Sequence, residues 1–561
     1  MLADTPLGIR DRLATVNVII IGGVAGGMSA ATRLRRLDEQ AQITVLERSG
    51  YVSFANCGLP YYIGGVIAER DELLLQTPQS LADRFSLDVR VRTEAVAIDR
   101  AARTVTARDL DSGAESTLPY DALVLAPGAR PVVPPIPGIE RALTLRDVED
   151  TDRIAAAAAE ARTATVIGGG FIGVEIAENL VHRGIEVTVV EATDQLMAPL
   201  DPELAALVHQ HMRGHGVRLE LGSAVEAIGD DDVTLAGGAR LPADLVVCAI
   251  GVRPETGLAD AAGLAIGERG GIVVDERLRT SDPAIYAVGD AVEKDDAVGA
   301  GRSLIPLAGI ANRQGRIAAD VIAGDETAHD QRALGTGIVG VFGLQIATTG
   351  WNEKRLRAAG RDFRTIHTHA GSHAGYYPGA EPIALKLLVD PESDAILGAQ
   401  AVGRDGADKR IDVLATAIRA GLPASDLITL ELAYAPPFGS AKDPVNMLGY
   451  IAQNLRDGLA ETVQWHELGG ELERGAVLVD VRSAEEHDEG AITPTINIPI
   501  DELRARAGEL PDGDLIVYCA VGQRGHSAAR ALTQLGRRAR NLDGGYETWR
   551  AGTATTPVAV G

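Results

Sequence analysis

Cysteine is nearly absent from this chain: three residues in 561. So few, and an odd number, exclude a secreted scaffold stapled by disulfides and favour a reducing compartment, with the cytoplasm as the default. Aromatic residues make up only 4% of the chain, so its cores must rest on alanine, valine, isoleucine and leucine. Basic residues are outnumbered, 53 Lys and Arg against 78 Asp and Glu, for a formal charge of −25. That balance argues against nucleic acid or an anionic membrane as partner, since both need basic surfaces. No run reaches the roughly 18 uninterrupted apolar residues of a membrane span. Arg10 and Arg12, ahead of the apolar stretch 16–31, superficially suggest a secretion signal. The glycines in that stretch, and the polar helix after it, fit a strand, a turn and a helix better.

What is present is length and glycine. A chain of 561 residues with 64 glycines and 46% apolar residues suits a globular α/β protein of three or four domains. Two segments follow one nucleotide-binding design. The first runs from an apolar strand at 16–21 through Gly22-Gly23-Val24-Ala25-Gly26-Gly27 into a helix, and a second strand ends at Glu47. The other runs from a strand at 164–167 through Gly168-Gly169-Gly170-Phe171-Ile172-Gly173 into a helix, and its second strand ends at Glu191. In this design the helix N-terminus faces a pyrophosphate and the acidic residue, about 20 positions on, binds a ribose. The first turn departs from the pattern, with Val24 where the second glycine belongs. Glu191 would accept from a ribose 2′-hydroxyl and repel a 2′-phosphate, which favours NADH, with NADPH still possible.

Three further segments fit this architecture. Strands running into Pro127-Gly128 and Gly251-Val252 read as two matching crossovers. The apolar strand 285–288 delivers Asp290, suited to hydrogen-bonding a flavin ribityl chain. Of the cysteines, Cys248 sits in an apolar run and reads as an inert buried thiol. Cys57 lies just past the first glycine turn, and Cys519 lies in a Cys-x-x-Gly-x-Arg loop.

Together these segments resemble the pyridine nucleotide–disulfide oxidoreductases, across about residues 16–455. The resemblance implies a FAD-binding domain in two parts (16–140 and 263–335), an NAD(P)-binding domain (141–262), and a domain that forms a homodimer (336–455). It implies FAD contacts from Gly22, Ala25, Gly27, Glu47, Arg48, Gly128 and Asp290, NADH contacts from Gly168, Gly170, Ile172, Gly173 and Glu191, and a cofactor contact from Gly251. Many members carry a second cysteine five residues after the first; here that place is held by Tyr62. Cys57 must therefore cycle with a small thiol, as a persulfide, or as a sulfenic acid.

The stretch 53–65 looks like the coenzyme A-disulfide reductase branch, which includes NADH-dependent persulfide reductases. Segments 376–379, 406–412 and 434–444 share the likeness. By that resemblance Ser29, Arg33, Arg36, Ser53, Asn56 and Lys442 contact coenzyme A, and Tyr376 or Tyr377, with Tyr434, reach the cysteine across the dimer. The basic helix around Arg33, Arg35 and Arg36 is the kind of local patch an anionic coenzyme needs on an acidic protein. Arg35 reads equally as part of a solvated face.

Residues 462–561 read as a separate α/β unit. The strand 515–518 runs into Cys519, a helix follows from about His526, and Ile496-Asn497 is an edge or turn signal. The loop can form a nest of backbone amides that stabilises an anionic sulfur, with Arg524 adding charge. This unit resembles a rhodanese, also through Gly544-Gly545-Tyr546 and Trp549, although Ala491 replaces a frequent histidine. The expected fold is thus two Rossmann-like domains, an α+β dimerisation domain and a rhodanese-like domain, with no metal. The expected activity is NADH- and FAD-dependent reduction of coenzyme A persulfide, polysulfide or disulfide, with Cys519 delivering sulfane sulfur. Two alternatives stay open: an NADH oxidase or peroxidase cycling Cys57 through sulfenic acid, and a sulfurtransferase whose flavoprotein part is a redox-gated scaffold.

Overall fold

A computed structural model describes residues 16–555, so Arg10 and Arg12 lie outside the described residues. The chain forms two compact units: residues up to 133 with 143–159 and 251–333, and residues 134–142 with 160–250 and 334 onward.

The first unit is built on a five-stranded parallel sheet. Its order is Ile285–Ala287, Ala122–Leu125, Asn17–Ile21, Gln42–Leu46, Asp88–Arg90. The central strands are continuous apolar runs whose core is shared with the helix Ala25–Leu37 and with Val105 and Ala107 of a separate three-stranded antiparallel sheet. Val18, Ile20, Leu123 and Val124 are buried there, each worth about 1.5–3 kcal/mol relative to exposure. The helix Ala25–Leu37 packs against Ala308–Ile322. They approach so closely that a Cβ on Gly315 would strike the Gly26 carbonyl. The two crossovers pair with each other, Ala129–Pro131 antiparallel to Val252–Pro254.

Arg35 corrects the reading of a solvated basic face. It is buried, and its guanidinium donates to the Phe85, Ser86, Asp38 and Glu39 carbonyls. Helix position alone gave no hint that the chain at 85–86 folds back over it.

The second unit holds three sheets that matter here. A four-stranded parallel sheet, in the order Arg218–Leu221, Glu186–Glu191, Thr163–Ile167, Leu245–Cys248, carries the second glycine turn. Cys248 is buried there, and burial pushes its thiol up, as expected of an inert strand residue. A five-stranded antiparallel sheet follows: Gly337–Val341, Leu344–Gly350, Ile396–Gly403, Pro382–Val389, Arg364–Gly371. The helices Ala407–Ala420 and Pro444–Arg456 share a hydrophobic core with it, including Leu385, Leu387, Leu414 and Leu448. The last sheet is parallel: Thr462–Val463, Arg538–Leu542, Asp514–Tyr518, Val477–Asp480, Ile496–Asn497. Ile496–Asn497 is its edge strand. No helix among the described residues is long and apolar enough to cross a membrane.

Candidate active sites

The first glycine turn opens one wall of a cavity of about 850 Å³ in the first unit. Gly22 has φ +104°, and a Cβ there would collide with the Ala126 carbonyl; a Cβ on Gly27 would collide with the carbonyl of Gly22. Only glycine lets the turn sit this close to the sheet end. Val24 has φ −113° and ψ −138° ahead of the helix that begins with Ala25, so its φ is not in the left-handed region that calls for glycine. Glu47 accepts from the Gly23 and Ser49 amides at 2.7 and 2.8 Å, which fixes its carboxylate at the cavity rim. Arg48 lies beside it, exposed.

Asp290 lines the same cavity. Its Oδ1 is buried and has no hydrogen-bond partner among the described residues. Such an orphaned acceptor is costly unless a ligand satisfies it. Burial raises its pKa, opposed by the charges of Lys294 and Arg146. Gly128, at φ +73°, also lines the cavity. An unsatisfied carboxylate atom and a glycine cradle at a helix start fit a dinucleotide.

Cys57 is exposed on the wall of this cavity, in a short helical turn, Asn56–Gly58, that leads into Leu59–Ile63. Tyr62 stands half-buried on that second segment. Asn56 shares the cavity wall, and Ser53 holds a left-handed backbone (φ 47°) with its amide on the Gly23 carbonyl. Of the expected coenzyme contacts on the helix, Arg33 is paired with Asp320 at 2.6 Å and Ser29 Oγ donates to Asn312 at 2.9 Å. Arg36 is exposed.

The second turn repeats the first. Gly168 has φ +106°, and Cβ atoms on Gly168 and Gly173 would meet the Ala249 and Gly168 carbonyls. Gly170 caps the helix Phe171–His182, whose first turn carries Ile172. Glu191 accepts from the Gly169 and Thr193 amides at 2.9 and 2.8 Å, the arrangement of Glu47 over again. Gly251, in the first unit, has φ +119°.

In the antiparallel-sheet domain the Tyr376 and Tyr434 hydroxyls meet at 2.7 Å, and Tyr376 is 75% exposed. That bond raises the pKa of Tyr376. Tyr377 is exposed and packs edge-on to His373. Lys442 is exposed, while its neighbour Asp443 is buried against Arg410 at 2.8 Å and caps the helix Pro444–Arg456.

Cys519 is 1% exposed, at the end of the strand Asp514–Tyr518. Gly522, at φ +90°, turns the chain at once into a helix, Gln523–Gln534, three residues earlier than the sequence suggested. Arg524 does not stand as an uncommitted charge: it makes a two-pronged ion pair with Glu486, at 2.7 and 2.6 Å. That pair holds the Glu486 carboxyl down at about 2. The Tyr546 and Glu547 amides donate to the Cys519 and Ala520 carbonyls at 2.8 and 3.0 Å. A Cβ on Gly545 would strike the Cys519 carbonyl, which explains the paired glycines.

A family model described as pyridine nucleotide-disulphide oxidoreductase matches residues 16–315, more than half the chain. The chain belongs to this family. A pyridine nucleotide-disulphide oxidoreductase dimerisation domain matches residues 337–444, and a rhodanese-like domain matches residues 464–552. Among curated members of the family, the coenzyme A disulfide reductase of Staphylococcus haemolyticus is 33% identical over 440 residues, 78% of this chain and 99% of that one. Among solved structures, the reduced CoADR-RHD of Bacillus anthracis is 50% identical, covers 97% of this chain and 99% of its own, and has a TM-score of 0.95. A NAD-dependent persulfide reductase from A. fulgidus is 42% identical, covers 95% and 100%, and has a TM-score of 0.90.

Sequence reading missed several residues of this oxidoreductase. Lys294 is buried beneath the Asp290 turn, donating to the Gly289 and Val292 carbonyls at 2.7 and 2.8 Å. Burial pushes it down to about 8. Arg146 lines the cavity and donates to the Pro127 carbonyl. Glu486 had a findable signal, since Ser483 three residues before it forms a capping box.

Proposed function

We propose that this protein is an FAD- and NADH-dependent reductase of coenzyme A persulfide, polysulfide or disulfide, in which Cys57 is the redox thiol and Cys519 a carrier of sulfane sulfur. The observation that carries it is Cys57, exposed on the same cavity wall as the Gly22 turn and the unsatisfied Asp290. Cys57, Gly22, Gly27, Glu47 and Asp290 would hold or border the flavin, and Gly168, Gly173 and Glu191 the nicotinamide nucleotide. FAD, when bound, supplies a route for an electron pair from NADH to sulfur.

The chain's own chemistry is thiol exchange. The Cys57 thiolate attacks the inner sulfur of coenzyme A persulfide; the S–S bond breaks, hydrogen sulfide anion leaves, and a mixed disulfide forms. Two electrons and a proton then return the Cys57 thiolate and free coenzyme A. The mixed disulfide suits a cysteine whose family partner position is Tyr62. The dimerisation domain supports a homodimer, in which the exposed Tyr376–Tyr434 pair would serve as a proton donor at the redox cysteine. Three cysteines in the whole chain support a reducing, cytoplasmic setting.

Intact-mass measurement tests the reading. An adduct of coenzyme A mass, lost on reduction and absent in Cys57→Ser, is expected. Anaerobic NADH oxidation should follow addition of coenzyme A disulfide or persulfide. Hydrogen peroxide as the better oxidant, with no adduct, would refute it.

A further inference from the structure

The strand Arg364–Gly371 of the dimerisation domain carries two histidines, His367 and His369. Alternate residues of a strand share a face, and both side chains reach the rhodanese-like domain. The His367 amide and Nδ1 meet Asp543 Oδ2 at 3.0 and 2.8 Å. Its Nε2 meets Glu203 Oε1 at 2.9 Å. His369 Nε2 meets the Thr548 hydroxyl at 2.7 Å. Gln464 donates to Asp543 Oδ2 as well, at 3.1 Å.

Behind His367 lies a buried charge cluster. Lys386 Nζ sits 2.9 Å from Asp201 and 2.7 Å from Glu353, and also pairs with Glu203. Among the described residues these three carboxylates alone have spacing suited to a cation, and the Lys386 ammonium fills that place. The charged or titratable groups facing His367 are thus Glu203 from the helix Pro202–Gly214, Lys386 from Pro382–Val389, Asp543 after Arg538–Leu542, and His369 on its own strand. Burial works against its charge, but the hydrogen bonds to Asp543 and Glu203 raise it to about 9. Burial and the charge of His367 push His369 down to about 4. At neutral pH one ring is an imidazolium and the other a neutral imidazole.

What these rings hold is the brace of the sulfur loop. Asp543 and Thr548 bracket the segment Gly544-Gly545-Tyr546-Glu547, whose amides hold the Cys519 and Ala520 carbonyls. A Cβ on Gly544 would strike the Thr548 hydroxyl and crowd His367. We propose that His367 and His369 are positioning residues for Cys519: from the dimerisation domain they clamp both ends of the segment that shapes its loop. Sulfur transfer at Cys519 is then set from outside the rhodanese-like domain. This rests on the reading of Cys519 as the sulfur carrier.

The test uses the full-length protein, with thiosulfate as sulfur donor and cyanide as acceptor. Thiosulfate leaves sulfite and a Cys519 persulfide, and cyanide takes the sulfur as thiocyanate. His367→Gln should lower kcat about tenfold with the KM for thiosulfate kept within about twofold. Thr548→Val, which removes the His369 contact without burying a charge, should lower it several-fold. The wild type should lose rate as pH rises through about 9, and His367→Gln should lack that limb. NADH oxidation by coenzyme A disulfide should match wild type in both variants. Unchanged kcat and pH profile in both would overturn the proposal, as would a proportional loss of both activities. If Cys519→Ser keeps full sulfur transfer, the sulfur-carrier reading falls, and the proposal with it. If Cys519→Ser is inactive while both variants match wild type, only the proposal falls.

Discussion

The two cysteines proposed to react occupy opposite settings. Cys57 is exposed on the wall of a cavity of about 850 Å³, in a short helical turn. Cys519 is buried at a strand end, its loop tied by backbone bonds to the Gly544–Glu547 segment. A thiol that must form a mixed disulfide with a bulky coenzyme needs open space. One that carries a single sulfur atom can be enclosed, and enclosure protects a persulfide from water and other thiols. Exposure, more than the identity of the neighbouring residues, separates the two proposed roles.

The sharpest way to break the comparison is to remove each sulfur in turn. Cys57→Ser should lower NADH-dependent reduction by on the order of 10³-fold while thiosulfate sulfurtransferase activity persists. Cys519→Ser should do the reverse when coenzyme A disulfide is the oxidant. Parallel assays on the two variants check both; loss of both activities in either one would erase the division of labour.

Next comes the structure behind Cys519. Lys386→Met removes the cation among Asp201, Glu203 and Glu353 and should cost roughly 3–5 kcal/mol, read from the denaturant midpoint. The same network gives stability a pH signature. The pKa of His367 is raised in the fold from 6.5 to about 9. Its contribution is therefore complete below about 6.5 and lost as pH rises through about 9. Thermal melts between these limits should fall with rising pH, and His367→Gln should flatten the trend.

On the Cys57 side, Asp290→Ala removes a buried acceptor that awaits a partner. Hydrogen bonds to a charged group are worth about 1.5–3 kcal/mol, so flavin affinity should weaken on the order of tenfold or more. Flavin absorbance retained after dialysis measures it. The smallest effect is expected at Glu486. Glu486→Gln frees the charge of Arg524 and should lower the KM for thiosulfate about threefold, the scale of a partly exposed ion pair.

The glycine turns, their acidic strand ends, the Asp290 strand and the Cys519 loop were legible because each is a local pattern with one physical meaning. Glu47 and Glu191 even repeat the same amide contacts. The buried network was not. Asp201, Glu203, Glu353, His367, Lys386 and Asp543 come from distant segments, and each alone reads as an ordinary surface residue. Arg35 misled for the same reason: its four carbonyl partners include a chain segment about fifty residues away. Arg524 does interact with Cys519, but its ion pair with Glu486 was hidden because that residue lies in a different helix.

Gly170 offers a different use. A Cβ there would meet nothing within 4 Å, and its backbone lies in a region open to any residue. The folded chain alone therefore gives no reason for glycine at 170, whereas Gly168 and Gly173 are required for the turn to close. Replacing Gly170 by alanine would leave the melting temperature in place while raising the KM for NADH. It is a position at which the demands of the cargo and the demands of the architecture can be told apart with one methyl group.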